Sequence, residues 1–104
     1  MNESLLSLLG LMRRAGKLSM GFDAAAESIR TGKSCLILTT ADISPKTLKE
    51  LNYKINNKTD VIALSCDQED IRRAIGKAVK IISINDKGFA QKAKLLMETD
   101  HGEE

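Results

Sequence analysis

Aromatic residues are scarce in this sequence: its 104 residues include no tryptophan, one tyrosine and two phenylalanines. Proteins that bind single-stranded nucleic acid without sequence preference stack successive bases on several aromatic side chains. Phe22, Tyr53 and Phe89 are too few to form such a platform. If the chain binds RNA, we expect recognition of a structured backbone or groove through helix ends and basic side chains.

Groups that carry catalysis or bind metals are also scarce. The one histidine, His101, lies in an acidic C-terminal segment, where no second residue is placed to hold it as a general base. The sequence has no Walker loop and no dinucleotide-binding glycine fingerprint. Cys35 and Cys66 lie in or beside apolar runs without another Cys or His nearby, which favours two buried thiols over metal ligands or a redox pair. We therefore predict no enzymatic activity, cofactor or metal.

One enzyme-like alternative involves Asp42, which follows an apolar strand-like run as a phosphoacceptor or metal-binding aspartate would. Asp67 and Asp86 could supply further carboxylates at neighbouring strand ends. All three also precede predicted helix starts, where carboxylates commonly serve as turn and cap residues. We therefore predict capping roles for these three side chains.

Long hydrophobic runs are absent, since none approaches the ~20 residues that a membrane span needs. The leucine-rich start also lacks the basic leader of a signal peptide, which predicts a cytoplasmic protein without a membrane partner. The length suits a single domain, which we place at residues 1–97, followed by an acidic flexible tail at residues 98–104.

The charge is uneven along the chain. Four of the 14 acidic residues lie in the tail, which leaves 16 basic and ten acidic groups, a net charge of +6, in residues 1–97. Between residues 71 and 94, seven basic residues face a single acidic one, Asp86. This bias is explained equally well by a polyanion partner and by a solvated helix face. The acidic tail could compete with a polyanion for the basic surface.

The remaining pattern alternates helices with strands, and it is organised around residues 20–45. Phe22, Ala25, Ala26 and Ile29 share one helical face, and an apolar run without alternation follows, typical of a strand covered on both faces. Strands are predicted, in chain order, at residues 17–20, 35–40, 61–64 and 81–84. Such an alternation predicts an α/β protein with a three-layer α/β/α sandwich.

The start of the helix at Gly21 is the first place to look for a function. Unpaired N–H groups and the positive end of the helix dipole face outward there, which suits an anion such as an RNA phosphate. The Asp23 carboxylate in the first turn could fill the same role. Arg13 and Arg14, in the last turn of the first predicted helix, suit the dipole of that helix as well as an RNA contact.

The same residues resemble a known family. The elements Gly21…Ile29-Arg30-x-Gly32, Leu36–Leu38 and Asp42-x-x-Pro45 are similar to the helix, strand and turn of the ribosomal proteins L7Ae and L30e, in the same order. Within this family, the chain resembles the bacterial YlxQ-type branch most. The resemblance lies in Leu8–Leu11, Arg14-x-x-Lys17, Ile75–Lys77 and Asp86-Lys87-Gly88-Phe89-Ala90-x-Lys92. The resemblance implies an α/β/α sandwich around a mixed, roughly four-stranded sheet.

The resemblance also implies a site. Many members bind kink-turn RNA through a Gly-x-Asn-Glu-x-x-Lys motif on the corresponding helix, and apolar residues in the loop before the last strand cover a flipped-out nucleotide. This chain keeps Gly21 but has Asp23, Ala24 and Glu27 where the family has Asn, Glu and Lys. Two carboxylates would then face phosphates and guanine acceptor edges, and each lost base-edge contact is worth about 1–3 kcal/mol.

We therefore predict a non-enzymatic, monomeric RNA-binding protein with an altered kink-turn motif, whose partners are structured RNA, ribosomal or kink-turn-like, and ribosomal proteins. The alternative is a protein-interaction module that has kept this fold and lost RNA binding. The predicted RNA-binding residues are Arg13, Arg14, Lys17, Gly21, Phe22, Asp23, Ala24, Glu27, Lys33, Lys77, Ala78 and Val79.

Overall fold

A computed structural model describes the backbone of residues 3–102 and the side chains of residues 3–97. The five helices in this part of the chain are α1 (Glu3–Arg14), α2 (Phe22–Arg30), α3 (Pro45–Ile55), α4 (Gln68–Ile75) and α5 (Lys87–Gly102). The strands are β1 (Leu18–Met20), β2 (Leu36–Thr39), β3 (Val61–Ala63) and β4 (Ile81–Ile84). Within the described residues, no helix combines the length and hydrophobicity of a membrane span.

The four strands form one mixed sheet in the order β1-β4-β2-β3. Strand β4 is antiparallel to both β1 and β2, whereas β3 runs parallel to β2. All residues of β2 and β4 are buried, because both faces of these central strands are covered. Strand β3, whose apolar sequence favours burial, lies at the sheet edge, and its residues are partly exposed.

The helices cover the two faces of the sheet. Alternate residues of a strand point to opposite faces, so Leu36 and Leu38 pack with α1, α4 and α5, and Ile37 packs with α2 and α3. The stripe from Phe22 to Ile29 on α2 faces the sheet, as the sequence pattern predicts. The three-layer α/β/α sandwich and the mixed four-stranded sheet are thereby confirmed.

Capping residues mark both ends of α3. Ser44 caps α3 by accepting a hydrogen bond from the Thr47 amide at 3.1 Å, and Pro45 follows at the first helical position. At the other end of α3, Asn56 and Asn57 have left-handed backbone conformations, with φ of 43° and 64°. Side chains of this type favour such conformations, which end a helix.

The three aspartates of the enzyme-like alternative all bond backbone amides at helix starts. Asp67 and Asp70 form a capping box at the start of α4. Asp42 accepts a hydrogen bond from the first amide of the same helix at 3.2 Å, and Asp86 accepts one from the Phe89 amide at 2.9 Å. These contacts agree with the predicted capping roles.

Two expectations are modified by the fold. Cys66 is buried, and burial raises the pKa of its thiol, but Cys35 is only half-buried. Helix α5 continues to Gly102, so the backbone of residues 98–102 is helical where an unstructured tail was expected. Residues 103 and 104 lie outside the described residues, and the division into a domain at residues 1–97 and a tail at residues 98–104 remains a prediction.

Candidate nucleic-acid interface

The start of α2 is held against the sheet by its N-cap, Gly21. The Gly21 amide donates a hydrogen bond to the carbonyl of Ile81 in β4 at 2.8 Å, and the Gly21 carbonyl accepts one from Ala25 at 3.0 Å. The Gly21 backbone adopts φ 95° and ψ 168°, and no side chain caps the helix. As at helix N-termini generally, the first-turn amides have no partner within the helix, and here no side chain of the cap residue satisfies them.

The loop between α4 and β4 lies beside this helix start. A methyl group added to Gly21 would stand 3.9 Å from Val79 Cγ1, and the Lys80 carbonyl accepts a hydrogen bond from the Thr40 amide at 3.0 Å. Lys77 and Ala78 are exposed at the tip of the loop. The structure thus brings together two of the segments that were predicted separately.

Val79 takes a different role from the one expected for it. Its side chain is 8% exposed and packs in the core with α1, α4 and α5. It therefore has little surface left to cover a nucleotide and instead supports the loop from inside. Ala78 is the exposed apolar residue of the predicted set in this loop.

The three positions at which the resemblance predicts an altered motif lie together on the exposed side of α2. Asp23, Ala24 and Glu27 are all exposed, whereas Phe22 is half-buried against the second core cluster. The Glu27 carboxylate receives hydrogen bonds from both Nε and Nη2 of Arg30, one turn further along the helix. These bonds lower the pKa of Glu27, so the carboxylate stays ionised and its charge is partly balanced by the guanidinium.

A groove between α2 and the edge strand β1 adds two lysines to this surface. The groove encloses about 540 Å³, and Lys17 and Lys33 line it together with Ala24, Glu27 and Thr31. Both lysines are exposed. They lie on the β1 side of α2, in the same groove as Ala24 and Glu27.

The floor of this groove is a polar network that the sequence patterns do not reveal. Asn85 Nδ2 donates to Ser19 Oγ at 2.9 Å, and Ser19 Oγ lies 2.6 Å from Ser28 Oγ. Ser83 Oγ donates to Asn85 Oδ1 at 2.7 Å. Ser28 and Ser83 are both buried, so these hydrogen bonds satisfy groups that could not reach water.

The two arginines at the end of α1 have different surroundings. The Arg13 guanidinium donates to the carbonyl of Ile75, at the C-terminal end of α4, and so joins two helices. Arg14 instead lines an open groove between α1 and α4. Arg72 and Arg73, part of the basic run in the sequence, form ion pairs with the acidic residues one turn earlier in α4.

These surroundings predict different effects for two adjacent substitutions. Arg13→Ala leaves a helix-end carbonyl without its charged donor, and we expect it to lower the free energy of unfolding by about 1 kcal/mol. Arg14→Ala breaks no such bond, so we expect unchanged stability and weaker RNA binding. Urea unfolding and fluorescence anisotropy with labelled RNA measure the two effects. Equal stabilities of the two variants would contradict a structural role for Arg13.

Comparison with known proteins identifies the relatives of this chain. The sequence model of the ribosomal protein L7Ae/L30e/S12e/Gadd45 family matches residues 3–94. The chain belongs to this family. The RNA-binding protein YlxQ of Enterococcus faecium is 33% identical over 100 residues, which cover 92% of this chain and 93% of that protein.

Further relatives cover most of the chain as well. RNA-binding protein YlxQ of Bacillus subtilis is 33% identical over 88% of this chain and 92% of its own length. The large ribosomal subunit protein eL30 of Dictyostelium discoideum is 32% identical over 83% of this chain and 80% of its own length. The resemblance to the L7Ae/L30e family and its YlxQ branch is thereby confirmed.

Solved structures show the same fold. A Bacillus halodurans protein of unknown function superposes with a TM-score of 0.82 at 30% identity, covering 94% of this chain and 99% of that one. A Giardia lamblia 15.5kD RNA binding protein superposes with a TM-score of 0.73, covering 95% of this chain and 89% of that one. At 18% identity, this second likeness concerns the fold alone.

Proposed function

We propose that this L7Ae/L30e-family protein is a monomeric, non-enzymatic, cytoplasmic protein that binds structured RNA, ribosomal or kink-turn-like. The observation that carries the proposal is the hydrogen bond from the Gly21 amide to the Ile81 carbonyl. This bond sets the outward-facing amides of α2 beside the Lys77–Lys80 loop, so that both can face one RNA backbone. The names of the relatives, an RNA-binding protein and a ribosomal protein, support this reading.

The charges around this site favour phosphate. Within residues 3–97, Lys17, Lys33 and Lys77 form no ion pair with a described carboxylate. Lys77 lies in the loop beside the start of α2, whereas Lys17 and Lys33 lie in the groove beside β1, towards the C-terminal end of α2. Helix-end amides and lysines bind phosphates without reading sequence, so they position an RNA rather than select it.

The altered motif determines what kind of RNA binding we expect. Asp23 and Glu27 accept hydrogen bonds and cannot donate them to guanine edges or phosphates. Base-edge recognition should therefore be weak, and most of the affinity should come from phosphate contacts. We infer a protein that prefers folded RNA over unstructured RNA and has only modest selectivity for the kink-turn.

The experiment that tests this function measures binding to a kink-turn RNA and to a duplex of equal length without the tandem G·A pairs. We expect binding to both RNAs, with affinity that falls steeply as salt rises. The double substitution Lys17→Ala, Lys77→Ala should reduce the slope of log K against log salt by about 2, since each phosphate contact contributes about 0.9.

The matched control removes the same charge from another helix. Lys87 and Lys92 are exposed on α5, on the opposite side of the sheet from α2. The substitutions Lys87→Ala and Lys92→Ala should change the slope less than the Lys17 and Lys77 pair does. Equal slopes for the two double variants would contradict the proposed surface.

A protein-interaction module on the same fold is the second candidate. It is favoured by the exposed carboxylates of Asp23 and Glu27 at positions where RNA-binding members have an amide and a cation. Ribosomal proteins are the partner class that we propose in this case. The two candidate functions can be distinguished by purifying the tagged protein from cells, sequencing the bound RNA and identifying the bound proteins. Recovery of proteins without RNA would favour the interaction module.

A further inference from the structure

Helix α3 carries the most exposed large hydrophobic side chain of the described residues. Tyr53 is 83% exposed, whereas Leu51 and Ile55 on the other side of the helix are buried against α2 and the sheet. Lys49 lies one turn before Tyr53, and Lys46 lies two turns before it. Side chains at these spacings share one face of a helix. The tyrosine ring is thus presented to solvent with lysines beside it.

Nearly all the charge on this helix and just after it is positive. Lys46, Lys49, Lys54 and Lys58 face only one carboxylate within the helix, that of Glu50. None of the four lysines forms an ion pair with a described residue. In contrast, the arginines of α2 and α4 are paired within their own helices. Unpaired ammonium groups can bind an anionic partner without first breaking an existing ion pair.

A groove connects this helix to the start of α2. It encloses about 350 Å³ between α2 and α3, and Phe22 and Asp23 line its α2 side. Lys54 and Lys58 line its α3 side. An RNA chain that leaves the first turn of α2 can therefore follow this groove to α3, where Tyr53 adjoins Lys54 in the sequence.

We propose that the outward face of α3 is a second RNA-binding surface, which holds an unpaired nucleotide with its base stacked on Tyr53 and its flanking phosphates bound by Lys46, Lys49 and Lys54. This surface is separate from the start of α2 and goes beyond the proposed function. It would allow the protein to hold a single-stranded segment next to a folded RNA element.

The chemistry of the surface fits RNA. A largely exposed aromatic ring can stack with a base, and stacking is tolerant of sequence because every base has a π-face. Lysines on the same helix face supply the charge that neutralises the adjoining backbone. One tyrosine cannot form a platform for a long single strand, so we assign it one nucleotide.

The composition of the chain makes this surface directly observable. Tyr53 is the only tyrosine and tryptophan is absent, so intrinsic tyrosine fluorescence reports on this position alone. Titration with a short oligouridine at low salt should quench this fluorescence as the base stacks on the ring. Anisotropy of a labelled oligouridine measures the affinity in parallel. The probe contains no kink-turn, so its result and the test of the proposed function can differ.

Substitutions separate stacking from charge. Tyr53→Ala should weaken oligouridine binding roughly tenfold, and Tyr53→Phe should restore it because the phenyl ring still stacks. Lys46→Ala with Lys49→Ala should reduce the salt slope by about 1.4, since each single-strand phosphate contributes about 0.7. The pair Lys87→Ala, Lys92→Ala removes equal charge from α5 and should leave quenching unchanged. Tyr53 is exposed, so none of its variants should unfold the protein, and circular dichroism checks this.

Three results would overturn the proposal. The first is the absence of oligouridine binding, or binding that does not quench the fluorescence of Tyr53. The second is a Tyr53→Ala variant that binds as tightly as the natural chain. The third is equal quenching by polyglutamate in place of oligouridine, which would make the face of α3 a docking site for acidic proteins.

Discussion

A chain carrying Asp23→Asn, Ala24→Glu and Glu27→Lys is expected to bind kink-turn RNA at least about tenfold more tightly than the natural chain. The substitutions restore the amide, the carboxylate and the cation with which family members reach the G·A pairs. Each good contact of this kind is worth about 1–3 kcal/mol, and neighbouring contacts do not add fully. Fluorescence anisotropy with the kink-turn and with a duplex lacking the G·A pairs measures the gain.

The fold should tolerate the three changes, because all three side chains are exposed and lie outside the buried stripe of α2. Loss of the Asp23 charge from the first turn should cost at most about 1 kcal/mol. Loss of the Glu27 carboxylate leaves Arg30 without its partner, which returns a free guanidinium to the same face. The added positive charge should further favour phosphate.

The control for this prediction is Glu69→Lys, which changes the net charge by the same amount on exposed α4. We expect the control to raise the affinity for both RNAs slightly and equally, and the triple variant to favour the kink-turn. A folded triple variant that still does not prefer the kink-turn would identify the Lys77–Val79 loop as the missing half of the site. It would also favour the interaction module.

The substitution Gly21→Ala should have the second large effect, on both stability and RNA binding. Its backbone conformation, with φ 95° and ψ 168°, is essentially restricted to glycine, so a side chain there costs about 1–3 kcal/mol. In a domain of this size, we expect the melting temperature to fall by roughly 10 °C. Relief of the strain would move the start of α2 away from the Ile81 carbonyl, and RNA affinity should fall as well.

The matched control is Gly32→Ala, at the opposite end of α2. Gly32 also has a positive φ, 76°, but no described atom lies within 4 Å of an added methyl group. The substitution Gly32→Ala should lower the free energy of unfolding by about 1 kcal/mol, without changing RNA affinity. Calorimetry measures the melting temperatures of both variants, and fluorescence anisotropy with labelled RNA measures their affinities. A Gly21→Ala variant that is destabilised but binds RNA normally would separate the fold from the site and contradict our placement of the interface.

Most of the fold could be predicted because its signals are local. The stripe from Phe22 to Ile29, the Ser44 cap of α3 and the apolar strand β4 each depend on spacings within a single element. Hydrophobic periodicity and capping chemistry act over a few residues, so they are readable along the chain. The prediction of an altered motif at Asp23, Ala24 and Glu27 was possible for the same reason, since these positions are close together on one helix.

The hydrogen-bond and ion-pair partners of the charged and polar side chains could not be predicted from spacings along the chain. Arg13 and Arg14 are adjacent and chemically identical, yet one bonds the carbonyl of Ile75 and the other faces an open groove. The network of Ser19, Ser28 and Asn85 joins residues from β1, α2 and the end of β4. Such contacts depend on how elements pack across the sheet, and no local spacing encodes that arrangement.

The sequence by itself therefore determined the order and type of the elements and the family of this protein. Only the tertiary structure decided that Val79 faces the core, that the Gly21 amide bonds β4, and that Tyr53 faces solvent beside unpaired lysines. The physical reason is that periodicity tells which face of a helix or strand is apolar. Packing between distant segments determines which charges are paired and which surface remains for a partner.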